Sequence, residues 1–600
     1  MDAGNFPRPV AVPIRYGAAM EIFWELRAFF RAHRRSYGVA GLLLACVAVL
    51  SLLPPAIIGR VVDGIVADTL DARGLWLYAL TMLGAALGIY VCRYQWRRRL
   101  YGASYQLSLE LRRSIYCHLL QLSPAALAAF PAGDLMARAT NDVQAVEMTA
   151  GEAVLSIFDG LLTGILLLGV MALTLSGPLT LLALAPWPLM SWAMWRLGNV
   201  LHQRYDVAQA AFSTLNTVTQ ESVAGLRALR GLGAEAHTER LFATASGSAN
   251  DANIKVARVE SRYDPIIYLT VGASFLISVG AGAWLIDAGQ LSLGQLTTFT
   301  LYLGQLVWPM FAFGWLVNLV QRGKAAWERI REFLDTPSAV PDTGELLQVQ
   351  EPLLEARIRR FAYPGRNAPA LAGVDVVLPP GHTLGIVGPT GAGKSTLLAL
   401  IARFYEPDEG EIRLGGRALG DYRLEALRAA IGYVPQEAVL FSASLRENIA
   451  LARPDAPEQA VADVVEAAGL ARDLAGFPQG LDTEVGERGV TLSGGQRQRL
   501  CLARMLLADC RILLLDDALS AVDAETEHHI LSALEQHTGH LSRIIVSHRL
   551  SAVKDAGEIL VLRDGRIAER GTHATLLANG GWYAETWRYQ QLAAAAGSLL

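Results

Sequence analysis

The chain has 600 residues, a hydrophobic share of 52%, only 18% charged residues and a formal net charge of −4. That length exceeds one domain. The weakly acidic balance argues against nucleic acid as a partner, since binding a polyanion favours a basic surface. The five cysteines (Cys46, Cys92, Cys117, Cys501, Cys510) are odd in number and lack metal-ligand spacing, so they read as small buried hydrophobes rather than a disulfide framework.

Apolar residues concentrate in the first half. Residues 36–59, 74–92, 160–195, 265–286 and 288–321 form tracts without a charge. A spanning helix needs roughly 20 apolar residues. The tract 160–195 is too long for one span and divides at Ser176-Gly-Pro178, which gives six spans in all. The first is longer than a signal-peptide core and lacks a convincing cleavage site, so it reads as retained. Arg27, Arg31, Arg34 and Arg35 precede it, Arg93, Arg97, Arg98 and Arg99 follow the second, and Arg322 and Lys324 follow the sixth. The opposite loops are short and nearly uncharged, so the positive-inside rule predicts a cytoplasmic N-terminus and C-terminal half.

Two segments on the cytoplasmic side, 93–152 and 196–264, carry helical periodicity with few breakers. They predict membrane helices that continue far out of the bilayer. Breaks at Phe130-Pro-Ala-Gly-Asp134 and near Gly231-Leu-Gly predict short transverse helices. Pro186-Trp-Pro188 and Trp308-Pro309 predict kinks, because proline removes a backbone donor. Asp159 opens the third span, where a carboxylate facing lipid is expensive. It predicts a residue facing the bundle interior, either bonded to a neighbouring helix or touching a cationic compound. Tyr302, Trp308, Phe311 and Phe313 fit either a cavity lining or ordinary packing.

Beyond a linker at 336–350, the second half reads as soluble α/β. The apolar run Thr383-Leu-Gly-Ile-Val387 predicts a strand, Thr396-Leu-Leu-Ala-Leu-Ile401 a helix. Between them lie Gly388, Pro389, Thr390, Gly391, Ala392, Gly393, Lys394 and Ser395. This is the strand–loop–helix context of a phosphate-binding P-loop. Its glycines let backbone N–H groups curl around phosphate oxygens, Lys394 reaches the β- and γ-phosphates, and the Ser395 hydroxyl ligates Mg²⁺. Only four lysines occur among 52 basic residues (Lys255, Lys324, Lys394, Lys554). A compact ammonium inside the loop therefore stands out in a chain that otherwise writes Arg. Further on, Ile512-Leu-Leu-Leu-Asp516 predicts a buried strand ending in a carboxylate that positions Mg²⁺. Leu492-Ser493-Gly494-Gly495-Gln496 offers a hydroxyl and bare N–H groups ahead of a helix expected over 497–507.

A P-loop, an LSGGQ run about a hundred residues later and an acidic strand twenty beyond it together resemble the ATP-binding cassette (ABC) family, over essentially the whole chain. The resemblance implies that two cassettes sandwich two ATP molecules, each held by one chain's P-loop and the other chain's Ser493, Gly494, Gly495 and Gln496. It further implies that Tyr363 stacks on adenine and that Thr396 joins the nucleotide site. The resemblance also implies that Gln436 touches Mg²⁺, that Asp523 closes the D-loop Ser520-Ala-Val-Asp523, and that His548 senses the γ-phosphate. Thr483-Glu-Val-Gly-Glu487 resembles the segment that meets coupling helices in exporters.

One position departs from the family pattern. The residue after Asp516 is usually a glutamate that serves as general base, and here it is Asp517. A side chain one methylene shorter predicts a weak base. The fold class expected is thus an α-helical membrane domain of six transmembrane helices with long cytoplasmic extensions (36–335), after an N-terminal segment (1–35), fused to an α/β P-loop cassette (351–600). This resembles a type IV exporter half-transporter, and within that group the bacterial multidrug-resistance-like halves that pair with a second, unlike half-transporter. It implies ATP-driven efflux of small amphipathic compounds or lipids through the bacterial inner membrane, with ATP and Mg²⁺ as cofactors. A homodimeric lipid translocase and an ATP-gated channel are the alternatives.

Overall fold

The computed structural model describes residues 21–486, 492–537 and 541–597. They fall into two compact units, one formed by residues up to 116 with 133–334, the other by 117–132 with 335 onward. Segment 117–132, which the sequence grouped with the membrane helices, therefore clusters with the second unit. There Ser123 caps a short helix, Pro124–Leu127, and its N–H donates to the Ser338 hydroxyl at 3.1 Å.

Among the described residues, five helices are long and apolar enough to cross a membrane: Arg34–Val66, Ala72–Gln121, Ala132–Leu175, Glu235–Asp287 and Leu293–Leu334. The tract expected as the fourth of six spans is instead two helices, Gly177–Leu184 and Trp187–Ala224, with Ala185 and Pro186 between them. Pro186 and Pro188 have no N–H to offer the carbonyls one turn back, so the helix ends there. The same physics breaks the last long helix at Leu306, three residues ahead of Pro309. The extensions are helical as expected: Ala72–Gln121 runs 50 residues, about 75 Å at 1.5 Å per residue. The turn near Gly231 ends the short helix Leu226–Leu232, with Gly233 at φ 64° as its left-handed cap.

Asp159 lies in a π-helical stretch, Ile157–Leu162. Its Oδ2 accepts from the Trp308 indole N–H at 2.9 Å, so the carboxylate is bonded to a neighbouring helix. The next residue allows that approach: a Cβ on Gly160 would lie 2.6 Å from the Ala312 Cβ. Tyr302 is packing, 2% exposed, its hydroxyl donating to the Leu52 carbonyl at 2.6 Å. Phe311 is exposed, and the Phe313 side chain lies outside the described residues.

At the opposite end of these helices, Leu53–Val66 packs backbone to backbone against Leu293–Gln305. Asp63 accepts from the Ser292 hydroxyl at 2.6 Å and from the Gly294 N–H at 2.7 Å, satisfying a donor that the helix start leaves open. A Cβ on Gly294 would collide with the Gly59 carbonyl and the Asp63 carboxyl. Gly294→Ala is therefore expected to destabilise this unit by about 1–3 kcal/mol. Gly272→Ala, where no neighbour lies within 4 Å, should be close to neutral. Thermal unfolding of the detergent-purified protein checks the pair; equal melting temperatures would refute the close packing.

The second unit holds two main sheets. A six-stranded sheet runs Arg566–Gly571, Glu558–Arg563, Thr383–Val387, Ser542–Val546, Ile512–Asp516, Ile431–Val434; the first strand is antiparallel and the rest are parallel. Every residue of Ile512–Asp516 and Ser542–Val546 is buried, as expected for central parallel strands covered on both faces. An antiparallel sheet of Leu371–Leu378, Leu354–Phe361, Glu409–Leu414 and Arg417–Ala418 packs with them into one core. The linker joins this unit through Leu346, which bridges Tyr422. Glu484–Val485 pairs with Ala443–Ser444, and Glu487 lies outside the described residues.

Candidate nucleotide site

The P-loop leaves the strand Thr383–Val387 and enters the helix Lys394–Ile401. Gly388, Gly391 and Gly393 have φ of 149°, 82° and 98°, conformations that a side chain disfavours. With its dipole and free N–H groups, the helix start after Gly393 faces a cleft of about 480 Å³. Tyr363, Thr390, Gly391, Ala392, Gly393, Lys394, Ser395, Thr396, Gln436, Asp516, Asp517 and His548 all line it. These residues come from five separate stretches of sequence: the parallel strands bring four of them together at their C-terminal ends, and Tyr363 follows the strand Leu354–Phe361 of the antiparallel sheet.

Lys394 is only 6% exposed, and its ammonium donates to the Gly388 and Pro389 carbonyls, both at 2.9 Å. Burial pulls its pKa below the ordinary lysine value, while the Asp517 and Asp516 carboxylates oppose that shift. The Ser395 hydroxyl donates to Asp516 Oδ1 at 2.9 Å. Burial pushes the Asp516 carboxyl above its usual range; hydrogen bonds from Ser395 and Tyr433 act the other way. Hydroxyl, carboxylate and the nearby Gln436 amide are hard oxygen donors of the kind Mg²⁺ takes. Mg²⁺ usually completes its shell with water and substrate phosphates, so this small donor set fits it.

Tyr363 sits at the cleft edge with its hydroxyl 3.0 Å from Thr396 Oγ1 and its ring edge-on to Tyr405 at 5.3 Å. Asp517 follows the acidic strand with φ 49°, a left-handed conformation that Asp tolerates better than most residues. Its Oδ1 accepts from the His548 N–H at 3.4 Å, tying the residue after the acidic strand to the loop after the next strand.

Ser493, Gly494, Gly495, Gln496 and Asp523 do not line this cleft. The helix begins at Gly494, three residues ahead of the expected start, because Ser493 and Gln496 form a reciprocal capping box. Gly495 is required where it stands, since a Cβ there would lie 2.7 Å from the Ala521 carbonyl. Asp523 caps the helix Ala524–His537 by accepting from the Thr526 N–H at 2.9 Å and hydroxyl at 2.8 Å, which holds its pKa down.

Three residues escaped the sequence reading. Tyr433 donates its hydroxyl to Asp516 Oδ2 at 3.0 Å, so the acidic residue is held from both sides. A lone polar group on the short strand Ile431–Val434 was its only sequence trace. Gln498, 6% exposed on the LSGGQ helix, reaches the Ser520 hydroxyl at 3.2 Å and accepts from the Ala521 N–H at 3.0 Å. Arg549 donates to the Ser520 and Val522 carbonyls at 3.0 and 2.7 Å, fastening the D-loop to the stretch that carries His548.

Residues 37–310 match the family described as ABC transporter transmembrane region, and residues 371–520 the family described as ABC transporter. The chain is 44% identical over 576 residues to the multidrug resistance-like ATP-binding protein MdlA of Escherichia coli, covering 96% of this chain and 98% of that protein. It is 39% identical to the probable multidrug resistance ABC transporter ATP-binding/permease protein YheI of Bacillus subtilis, covering 95% and 97%. To the ATP-dependent lipid A-core flippase of Pseudomonas aeruginosa it is 35% identical, covering 79% and 78%. A bacterial Atm1-family ABC exporter solved with ATP bound superposes with a TM-score of 0.76 at 28% identity, covering 93% of this chain and 98% of that one. Apolar spanning helices, a P-loop cleft and near full-length identity converge: the chain belongs to the ABC transporter family, as a multidrug-resistance-like exporter half that carries its own ATPase domain.

Proposed function

We propose that this chain is one half of a heterodimeric exporter that moves amphipathic or hydrophobic compounds, or lipids, across the bacterial inner membrane, with both its N-terminus and its ATPase unit in the cytoplasm. Its partner is a second, MdlB-like half-transporter. ATP with Mg²⁺ binds in the P-loop cleft, where Ser395, Asp516 and Gln436 hold the metal and Tyr363 takes the adenine. Bound Mg²⁺ neutralises phosphate charge; Lys394 holds the β- and γ-phosphates, and His548 reads the γ-phosphate. Ser493–Gln496 of this chain complete the partner's nucleotide site, and Asp523 lies between the two cassettes. Closure of the cassettes on ATP drives the membrane helices from an inward- to an outward-facing cavity, and hydrolysis resets them.

One observation carries the unequal pairing: Asp517 stands where the general base belongs, in a site otherwise complete. A short carboxylate reaches an attacking water poorly, and small misplacements can cost about 100-fold. The intact LSGGQ run supports the complementary role, because it serves the other site. Similarity to lipid A-core flippases favours a second reading for the cargo, a lipid.

Reconstitution of the chain with its partner in proteoliposomes tests this. ATP should drive saturable transport of an amphipathic dye, a labelled lipid or both, and this chain alone should transport little. Full-rate transport by the isolated chain would defeat the heterodimer, and steady ionic current under ATP would mark a channel.

A further inference from the structure

The C-terminal helix Trp582–Gly597 reaches the stretch that carries His548. Its Tyr583, Trp587 and Gln590 lie at i, i+4 and i+7, one face of a helix. Tyr583 is fully buried and Trp587 partly so in the same apolar cluster that holds Leu550. Tyr583 also bonds His573 Nδ1 through its hydroxyl at 2.8 Å. The two aromatics thus anchor the helix, and the next residue on that face is polar and half-buried.

Gln590 uses both ends of its carboxamide on one short stretch of backbone. Its Nε2 donates to the His548 carbonyl at 2.8 Å, and its Oε1 accepts from the Leu550 N–H at 3.0 Å. Paired bonds of this kind fix the plane of the backbone as well as its distance. On the other side, the His548 N–H is held by Asp517 and the Arg549 guanidinium by the D-loop. His548 itself lines the nucleotide cleft, whereas Gln590 does not.

We infer that Gln590 is a positioning residue for nucleotide recognition: through the backbone of His548 and Leu550 it sets the imidazole where a γ-phosphate would lie. The C-terminal helix is thereby part of the device that distinguishes ATP from ADP. This rests on the reading of His548 as the γ-phosphate sensor. It does not depend on how fast Asp517 supports hydrolysis, because its readout is affinity.

The test uses the full complex and azido-ATP and azido-ADP photolabelling resolved on this chain. Gln590→Met keeps the length and removes both hydrogen bonds. It should weaken azido-ATP binding roughly tenfold, the scale of one lost charged hydrogen bond, and leave azido-ADP within about twofold. His548→Ala should show the same ATP-selective loss, and the double variant should lose no more than either alone. Multiplying losses in the double variant, equal loss of ATP and ADP, or unchanged ATP affinity in Gln590→Met would each overturn the inference. Unchanged ATP affinity in His548→Ala would defeat the sensor reading together with the inference. A loss in His548→Ala without one in Gln590→Met would defeat the role of Gln590 alone. If Gln590→Met fails to fold, Gln590→Glu keeps the acceptor for Leu550 and removes the donor for His548; ATP affinity unchanged in that variant refutes the proposal.

Discussion

Lys394→Ala is expected to lower ATP affinity at this chain's cleft by about 10- to 100-fold, with the loss concentrated in nucleotides that carry a γ-phosphate. The ammonium is almost wholly buried and already points its donors at the Gly388 and Pro389 carbonyls. Arriving phosphates therefore find a charge held in place, in surroundings where a charged hydrogen bond is stronger than in water. Burial pulls its pKa down, and the Asp517 and Asp516 carboxylates oppose that pull. Alanine removes the charge and the ammonium's bonds to both loop carbonyls, of which Pro389's keeps the Ala392 N–H at 3.2 Å. Lys394→Arg should fail as well, because a broad planar guanidinium replaces a compact point charge in a closed loop. Equilibrium binding of a fluorescent ATP analogue to the complex, resolved on this chain, decides the matter. Affinity within threefold of the native value in Lys394→Ala would contradict the assignment of the cleft.

The second large effect is expected from the proposed asymmetry between the sites of the two halves. Replacing the partner's catalytic glutamate by glutamine should cut steady-state ATP turnover of the complex about 100-fold or more, the scale of lost general-base catalysis. Asp517→Glu alone should change turnover less than about twofold, because the site it alters contributes little. In the background of the disabled partner, however, Asp517→Glu should restore turnover by roughly 10- to 100-fold. The added methylene carries the carboxylate beyond the His548 N–H that now takes up one of its oxygens. ATPase assays on the three combinations separate the possibilities. If the disabled partner leaves most activity in place, the two sites are equivalent and the unequal pairing is wrong.

Much of this protein was legible in its sequence, where function depends on short-range geometry. A P-loop is a strand, a run of glycines and a helix, so its start after Val387 follows from local backbone preference, whereas the helix begins at Lys394, two residues ahead of the expected Thr396. Ile512–Asp516 could be placed to the residue because a strand buried on both faces has no polar positions until it ends. Apolar tracts of spanning length and their prolines likewise marked the membrane helices. The helix breaks at Ala185–Pro186 and Leu306 stand beside the very residues that lack a donor.

What the sequence by itself determined, then, is most of the chemical groups that line the P-loop cleft and most of the apolar helices long enough to cross a bilayer; both are written in contacts a few residues apart. Only the tertiary structure decided how those groups are held. Tyr433 finds Asp516 across 83 positions, Arg549 the D-loop across 27 to 29, and Gln590 the His548 carbonyl across 42. It also decided that residues 117–132 cluster with the ATPase unit. A hydrogen bond forms only where donor and acceptor come within about 3 Å. For partners so distant along the chain, that distance is set by the packing of sheets and helices, which no local pattern of residues encodes.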